Sequence, residues 1–143
     1  MTVTGWDRIL IAFGAIAGLA GVALSAAAAH VTGAGSLETA ARFLLFHAPA
    51  LLALAALSGT RLVHPGLGRV AGFALALGMG LFSGDLALRA LQGVPLFPMA
   101  APSGGVILML GWVLIAAAAL GARQRGKGHR PERPHIEAGP SLT

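Results

Sequence analysis

The residues that could do chemistry are few and sit against an apolar background: His30, Arg42, His47, Ser83, Asp85, Arg89 and Ser103. Asp85 and Arg89 stand four residues apart, so on a helix they share a face and can pair. That pair reads as a structural ion bridge near lipid headgroups ahead of a proton relay. His47 has the chemistry of a general base or a ligand, and the plainer role of a hydrogen-bonded packing residue. Two histidines, His30 and His47, could hold haem across helices, but no other signature of haem accompanies them. His30, His47 and Asp85 lack the paired spacing of a metal site. Pro102-Ser103-Gly104-Gly105 opens an apolar run; the unpaired amides of such a helix start can receive an anion or a side-chain oxygen. With His47 as base, Ser83 nearby and those amides as an oxyanion site, a lipid-directed enzyme is conceivable. Cysteine and tyrosine are absent, and no P-loop, nucleophile elbow or dinucleotide motif occurs. No catalytic residue, metal or cofactor is therefore assigned.

What must position these residues follows from composition. The chain has 143 residues, 56% of them hydrophobic and only 10% charged, with a mean hydropathy of +0.79. Soluble domains carry roughly 25% charged residues, so lipid is the expected solvent. Apolar runs cover Ile9 to Ala29, Phe43 to Gly59, Val70 to Gly84 with Leu86 to Leu88 beyond Asp85, and Ser103 to Ala122. Backbone polar groups find no partner in hydrocarbon, so runs of this length must be helices. The fold class predicted is an all-α membrane protein, a bundle of four transmembrane helices spanning about 9–29, 38–59, 69–90 and 103–122, with Ser36 a plausible N-cap of the second. Residues 1–122 form the domain, and 123–143, rich in Arg, Gly and Pro, a disordered tail. Ser25-Ala26-Ala27-Ala28 offers a signal-peptidase-like site, but the preceding run is longer than a signal core needs, and the first span is expected to be retained.

Counting along the helices gives depth. His47 lies 14 residues from Arg61, about 21 Å, and Asp85 16 residues from Arg69, about 24 Å. Both are expected toward the outer leaflet at similar height, with His30, Arg42 and Arg89 near the same boundary. Pro49 frees the Leu45 carbonyl and marks a possible kink in the second helix. The loop Leu91 to Pro102 should lie at the interface, with Leu96 and Phe97 dipping into lipid.

Charge sets orientation and partners. With four spans, Arg8, Arg61, Arg69, Arg123, Arg125, Lys127, Arg130 and Arg133 share one side, against Arg42 and Arg89 on the other. Short loops rich in Lys and Arg stay cytoplasmic, so both termini are expected there. The partners expected are the bilayer itself and anionic headgroups at the basic tail, not nucleic acid. Small residues recur at Gly68, Gly72, Ala76, Gly80 and Gly84, and at Gly14 and Gly18 in the first span. Such faces let helices approach closely. They serve bundle packing first and a homodimer or membrane complex second; Gly104-Gly105 reads as another close helix contact.

Several of these stretches together resemble a known family: His30 after a run of small residues, Phe46-His47-Ala48 with Ala50-Leu51-Leu52, Leu81-Phe82-Ser83-Gly84, and Pro102-Ser103-Gly104-Gly105 followed by Gly111-Trp112. The chain resembles the YgdD-like family of small bacterial inner-membrane proteins of unknown function, which has eukaryotic relatives, up to about Arg123. Asp85 stands where the family commonly has a small polar residue. The resemblance implies a four-helix inner-membrane protein and brings no activity, substrate or catalytic residue. The function expected is therefore a structural or assembly-type bundle without catalysis. A small oligomeric transporter or proton-linked conduit using the outer-leaflet polar cluster is the second reading, and a membrane enzyme acting on lipid the third.

Overall fold

The protein is described here by a computed structural model covering residues 4–30, 35–60 and 62–122. Residues 1–3 and 31–34, Arg61, and the segment with Arg123, Arg125, Lys127, Arg130 and Arg133 lie outside the described residues. Four long helices follow one another: α1 (Gly5–Ala28), α2 (Gly35–Ser58), α3 (Pro65–Gln92) and α4 (Ala100–Leu120). All four are apolar and long enough to cross a membrane. The shortest, α4, has 21 residues, about 31 Å of helix against a hydrocarbon core of roughly 30 Å.

The helices begin before the apolar runs, and residues suited to helix ends start them and stop α3. Thr4 precedes α1, and its amide and hydroxyl both donate to Oδ2 of Asp7, each at 2.8 Å, which fixes the first turn in the manner of a capping box. α2 already runs at Gly35, one residue before Ser36. α3 starts at Pro65, where a missing N–H costs nothing, and His64 Nδ1 accepts from the Leu67 amide at 3.4 Å. It stops at Gly93, whose φ of +73° suits glycine and whose amide returns to the Arg89 carbonyl at 3.1 Å. Pro49 lies inside α2.

Neighbours in sequence are neighbours in space. α1 packs on α2, α2 on α3 and α3 on α4, while α1 meets α3 over a short stretch. The backbone of α4 approaches neither α1 nor α2, so the bundle stays open along one side. Leu10, Leu51, Leu54, Leu75, Met79 and Leu108 fill its centre. Large apolar side chains also cover the outside, among them Ile16, Leu19, Phe46, Leu77, Val113 and Leu120. Lipid tails offer no hydrophobic drive between helices, so surface matching holds them together.

That matching is tightest where α3 crosses α4. A Cβ on Gly104 would lie 2.6 Å from the Phe82 amide nitrogen and 2.8 Å from the Gly78 carbonyl oxygen. One on Gly78 would lie 2.8 Å from the Gly104 carbonyl oxygen. Between α1 and α2, a Cβ on Gly14 would come within 3.1 Å of the Ala48 carbonyl oxygen, whereas one on Gly18 meets only the Ala48 Cβ at 3.8 Å. Along α3 the small residues do not act as one face. Gly72 sits under Leu10, yet a Cβ on Gly80 or Gly84 meets nothing within 4 Å. A four-residue step advances about 40° beyond a full turn, so the stripe winds from the α1 contact at Gly72 out to the surface at Gly80.

Backbone cannot yield as a flexible side chain can. Gly104→Ala should therefore cost about 1–3 kcal/mol, the range for overpacking. Gly84→Ala should be neutral or stabilise by up to about 1 kcal/mol, through helix propensity. Unfolding of both variants in mixed micelles by titrated dodecyl sulfate measures the contrast.

Candidate functional site

The seven sequence candidates do not converge on one cavity. Asp85 and Arg89 form the first group. Asp85 is fully buried and accepts from Arg89 Nε at 2.7 Å and from the Leu96 amide at 2.7 Å; the Ala101 amide faces the same carboxylate. α4 has no cap of its own, because its N-cap is Met99 at φ +70° with no side-chain bond to give. A buried carboxylate reaching across from α3 supplies what that helix start lacks, both hydrogen-bond acceptors and negative charge at the positive end of the helix dipole. It also fastens the connecting loop through Leu96, whose side chain, like that of Phe97, is exposed.

His47 belongs to a second group. It is buried on α2, with Nδ1 2.7 Å from the Phe43 carbonyl oxygen and Nε2 3.2 Å from Trp112 Nε1 on α4. An indole nitrogen can only donate, so Nε2 accepts, and the ring proton stands on Nδ1, donating to Phe43. Phe43 stacks beside the imidazole with ring centres 5.7 Å apart, and Phe82 of α3 lies 4.4 Å beyond Phe43. Phe82, Phe43, His47 and Trp112 thus make a row joining α3, α2 and α4. Phe43 is level with Phe82, Asp85 lies three residues outward of that contact and His47 four residues inward. The two groups therefore differ in depth by about 10 Å, and are not at one height. α3 starts at Pro65, four residues before Arg69, and its 28 residues carry Asp85 closer to its far end than α2 carries His47.

The remaining candidates stand apart. Arg42 pairs with Glu38 on the exposed face of α2. His30 is exposed just past α1. Ser103 Oγ donates to the Ala100 carbonyl of its own helix at 3.0 Å. Ser83 is buried, and its Oγ has no partner among the described residues. Among the described residues no three His, Asp or Glu side chains gather as a metal site would require.

Sequence reasoning missed a third polar group at the opposite end of the bundle. Asp7 is buried and, besides Thr4, takes the Ser58 hydroxyl of α2 at 2.5 Å; the charge of Arg69 on α3 faces it. One carboxylate so ties together the ends of three helices. Its signal was Thr4-x-x-Asp7, which carries capping-box spacing ahead of an apolar run. Trp112 as the partner of His47 had no local signal, since 65 residues separate them.

Between α2 and α4 lies a groove of about 560 Å³, with the His47–Trp112 row on its floor and Pro102, Gly105 and Met109 on the α4 wall. A second hollow of about 510 Å³ lies beside Ala76 and Gly80 of α3, bordered by Phe13, Phe73, Leu77 and Leu96.

Four apolar membrane-crossing helices with buried polar ties define a multi-pass membrane protein. The chain belongs to the UPF0382 family: a family profile described as "Protein of unknown function (DUF423)" matches residues 12–105. It is 35% identical over 130 residues to the "UPF0382 inner membrane protein YgdD" of Escherichia coli, covering 86% of this chain and 98% of that protein. It is 32% identical over 83 residues to a UPF0382 membrane protein of Staphylococcus epidermidis, covering 58% of this chain and 66% of that one. A UPF0382 membrane protein of Staphylococcus saprophyticus is 31% identical over 78 residues, 54% of this chain and 62% of that protein. No solved structure matches the chain. The protein is accordingly a multi-pass inner-membrane member of a family of unknown function.

Trp112→Phe keeps the ring and removes one hydrogen-bond donor, which should cost about 1 kcal/mol. The ¹⁵N resonance of His47 Nε2 should shift as that bond is lost while Nδ1 keeps its proton, readable in selectively labelled protein. Asp85→Ala strips the acceptor from α4's start and from Leu96. It should lower the unfolding midpoint more than Trp112→Phe does and open residues 93–99 to limited proteolysis.

Proposed function

We propose that this protein is a non-catalytic helical bundle that assembles with a second copy of itself through the exposed face of α3. The observation carrying this reading is the unfilled small-residue surface at Gly80 and Gly84, where an added Cβ would meet nothing within 4 Å, beside the hollow bordered by Phe13, Phe73 and Leu77. Small faces of this kind let a second helix approach to backbone contact, where dispersion and weak polar contacts stabilise association. The absence of catalysis is supported by how the polar groups are employed. Both nitrogens of His47 are engaged, and Asp85 is held by Arg89 and Leu96. A conduit or a lipid-directed enzyme would need its polar groups around one space, and His47 is bonded to Phe43 and Trp112 while Asp85 is bonded to Arg89 and Leu96 at a different depth.

Orientation follows the same charge argument as before. Arg8 and Arg69 lie at the end of the bundle where α1 starts, and Arg42 and Arg89 lie at the other end beside Glu38 and Asp85. Together with the tail cations in the sequence, this supports both termini in the cytoplasm.

The lack of native cysteine makes the assembly easy to test. Ala76→Cys in native membranes should give a disulfide-linked dimer, and adding Gly80→Leu should reduce that dimer about tenfold with monomer levels unchanged, a loss of about 1.4 kcal/mol in association. Equal crosslinking with and without Gly80→Leu would remove the α3 interface. Alkaline phosphatase fused after Thr143 should be inactive and green fluorescent protein at the same position bright; the reverse pattern refutes the orientation.

A further inference from the structure

We propose that the groove between α2 and α4 is a phospholipid site, taking one acyl chain along α4 with the lipid phosphate on Arg89. Three observations define the occupant. The groove is apolar throughout, because the two polar groups that reach it, His47 and Trp112, satisfy each other. A chain lying there breaks no hydrogen bond.

Its dimensions fit one leaflet. It runs along α4 from Ala101 to Trp112, eleven residues or about 16 Å, against roughly 15 Å for half of a 30 Å core. The mutual bond of Trp112 and His47 stands at the deep end. It is also open sideways to the bilayer, because the backbones of α2 and α4 nowhere come together.

A cation waits at the mouth. Arg89 is seven residues beyond Phe82, which lines the groove, so it sits on the same face of α3 within about 20°, two turns nearer the end. Its side chain is half exposed, 49%. Only Nε is engaged, on Asp85; among the described residues the two terminal nitrogens have no partner, leaving the outer edge of the guanidinium for a phosphate. One oxygen of Asp85 takes the inner Nε edge of Arg89 and the other the Leu96 amide, with Ala101 at the start of α4 facing the same carboxylate. Ala101 itself lines the groove, so this one carboxylate fixes the Arg89 head beside the groove's entrance.

The test is native mass spectrometry of the full chain released from phosphatidylglycerol vesicles containing an equal amount of diacylglycerol, which lacks the phosphoglycerol headgroup and with it the phosphate. Wild type should retain phosphatidylglycerol over diacylglycerol by about tenfold. A Cβ on Gly105 meets only the Phe82 ring, at 3.8 Å, so Gly105→Leu fills the groove without forcing the helices apart and should abolish retention of both. Arg89→Gln should keep a bound chain but erase the preference for the phosphate. Ala117→Leu, at an exposed position about 120° round α4 from Gly105, should behave as wild type. Undiminished retention in Gly105→Leu, or equal retention of the two lipids by wild type, overturns the proposal.

Discussion

Hydrocarbon accepts no hydrogen bonds, and nearly every feature of this protein answers to that. Each helix satisfies its own backbone, but the ends and the few buried side chains need partners from elsewhere in the fold. The protein meets this need with three ties. Asp7 joins α1 to Ser58 of α2 and faces Arg69 of α3. Asp85 joins α3 to the start of α4 and the loop before it. His47 joins α2 to α4 through Trp112. Each tie sits at a different depth, and between them they touch all four helices. In a medium where apolar contact gives no preference for protein over lipid, such ties are what make one arrangement better than its competitors.

The same medium explains the uneven packing. α3 and α4 approach until backbone meets backbone, at Gly78 and Gly104. Dispersion grows steeply with that kind of closeness. α2 and α4 are joined instead by a row of rings, in which face and edge contacts each contribute about 1 kcal/mol. Glycines give contact without space, and aromatics give contact across space, so a groove is left on the side where the rings do the joining. In water such a groove would be a hydrophobic liability; in a bilayer it is surface that lipid can cover.

Much of this was legible in the sequence, and the parts that were not share a cause. Four uncharged runs and the requirement for helices in lipid gave the elements, and Asp85 with Arg89 could be paired from an i,i+4 spacing alone. Small residues announced close packing but not where: Gly72 and Gly80 look alike in sequence, and one lies under Leu10 while the other faces open space. A stripe read at four-residue intervals drifts around a helix of 3.6 residues per turn, so its members part company. The tight crossing at Gly78, outside that stripe, was not singled out. The similar depth expected for His47 and Asp85 fails because the His64 cap and Pro65 start α3 early, and the apolar run alone does not mark that start.

The sequence by itself determined the solvent, the number of helices and the pairing of near neighbours, because hydropathy and helical periodicity are local properties and lipid enforces them without reference to the rest of the chain. Only the tertiary structure decided that His47 bonds Trp112, that Asp85 caps α4, that Ser58 reaches Asp7, and that α4 leans on α3 and leaves α2 behind. Those outcomes depend on how rigid helices rotate and slide against one another, and the balance is set by contacts between residues distant in sequence, which no local pattern encodes.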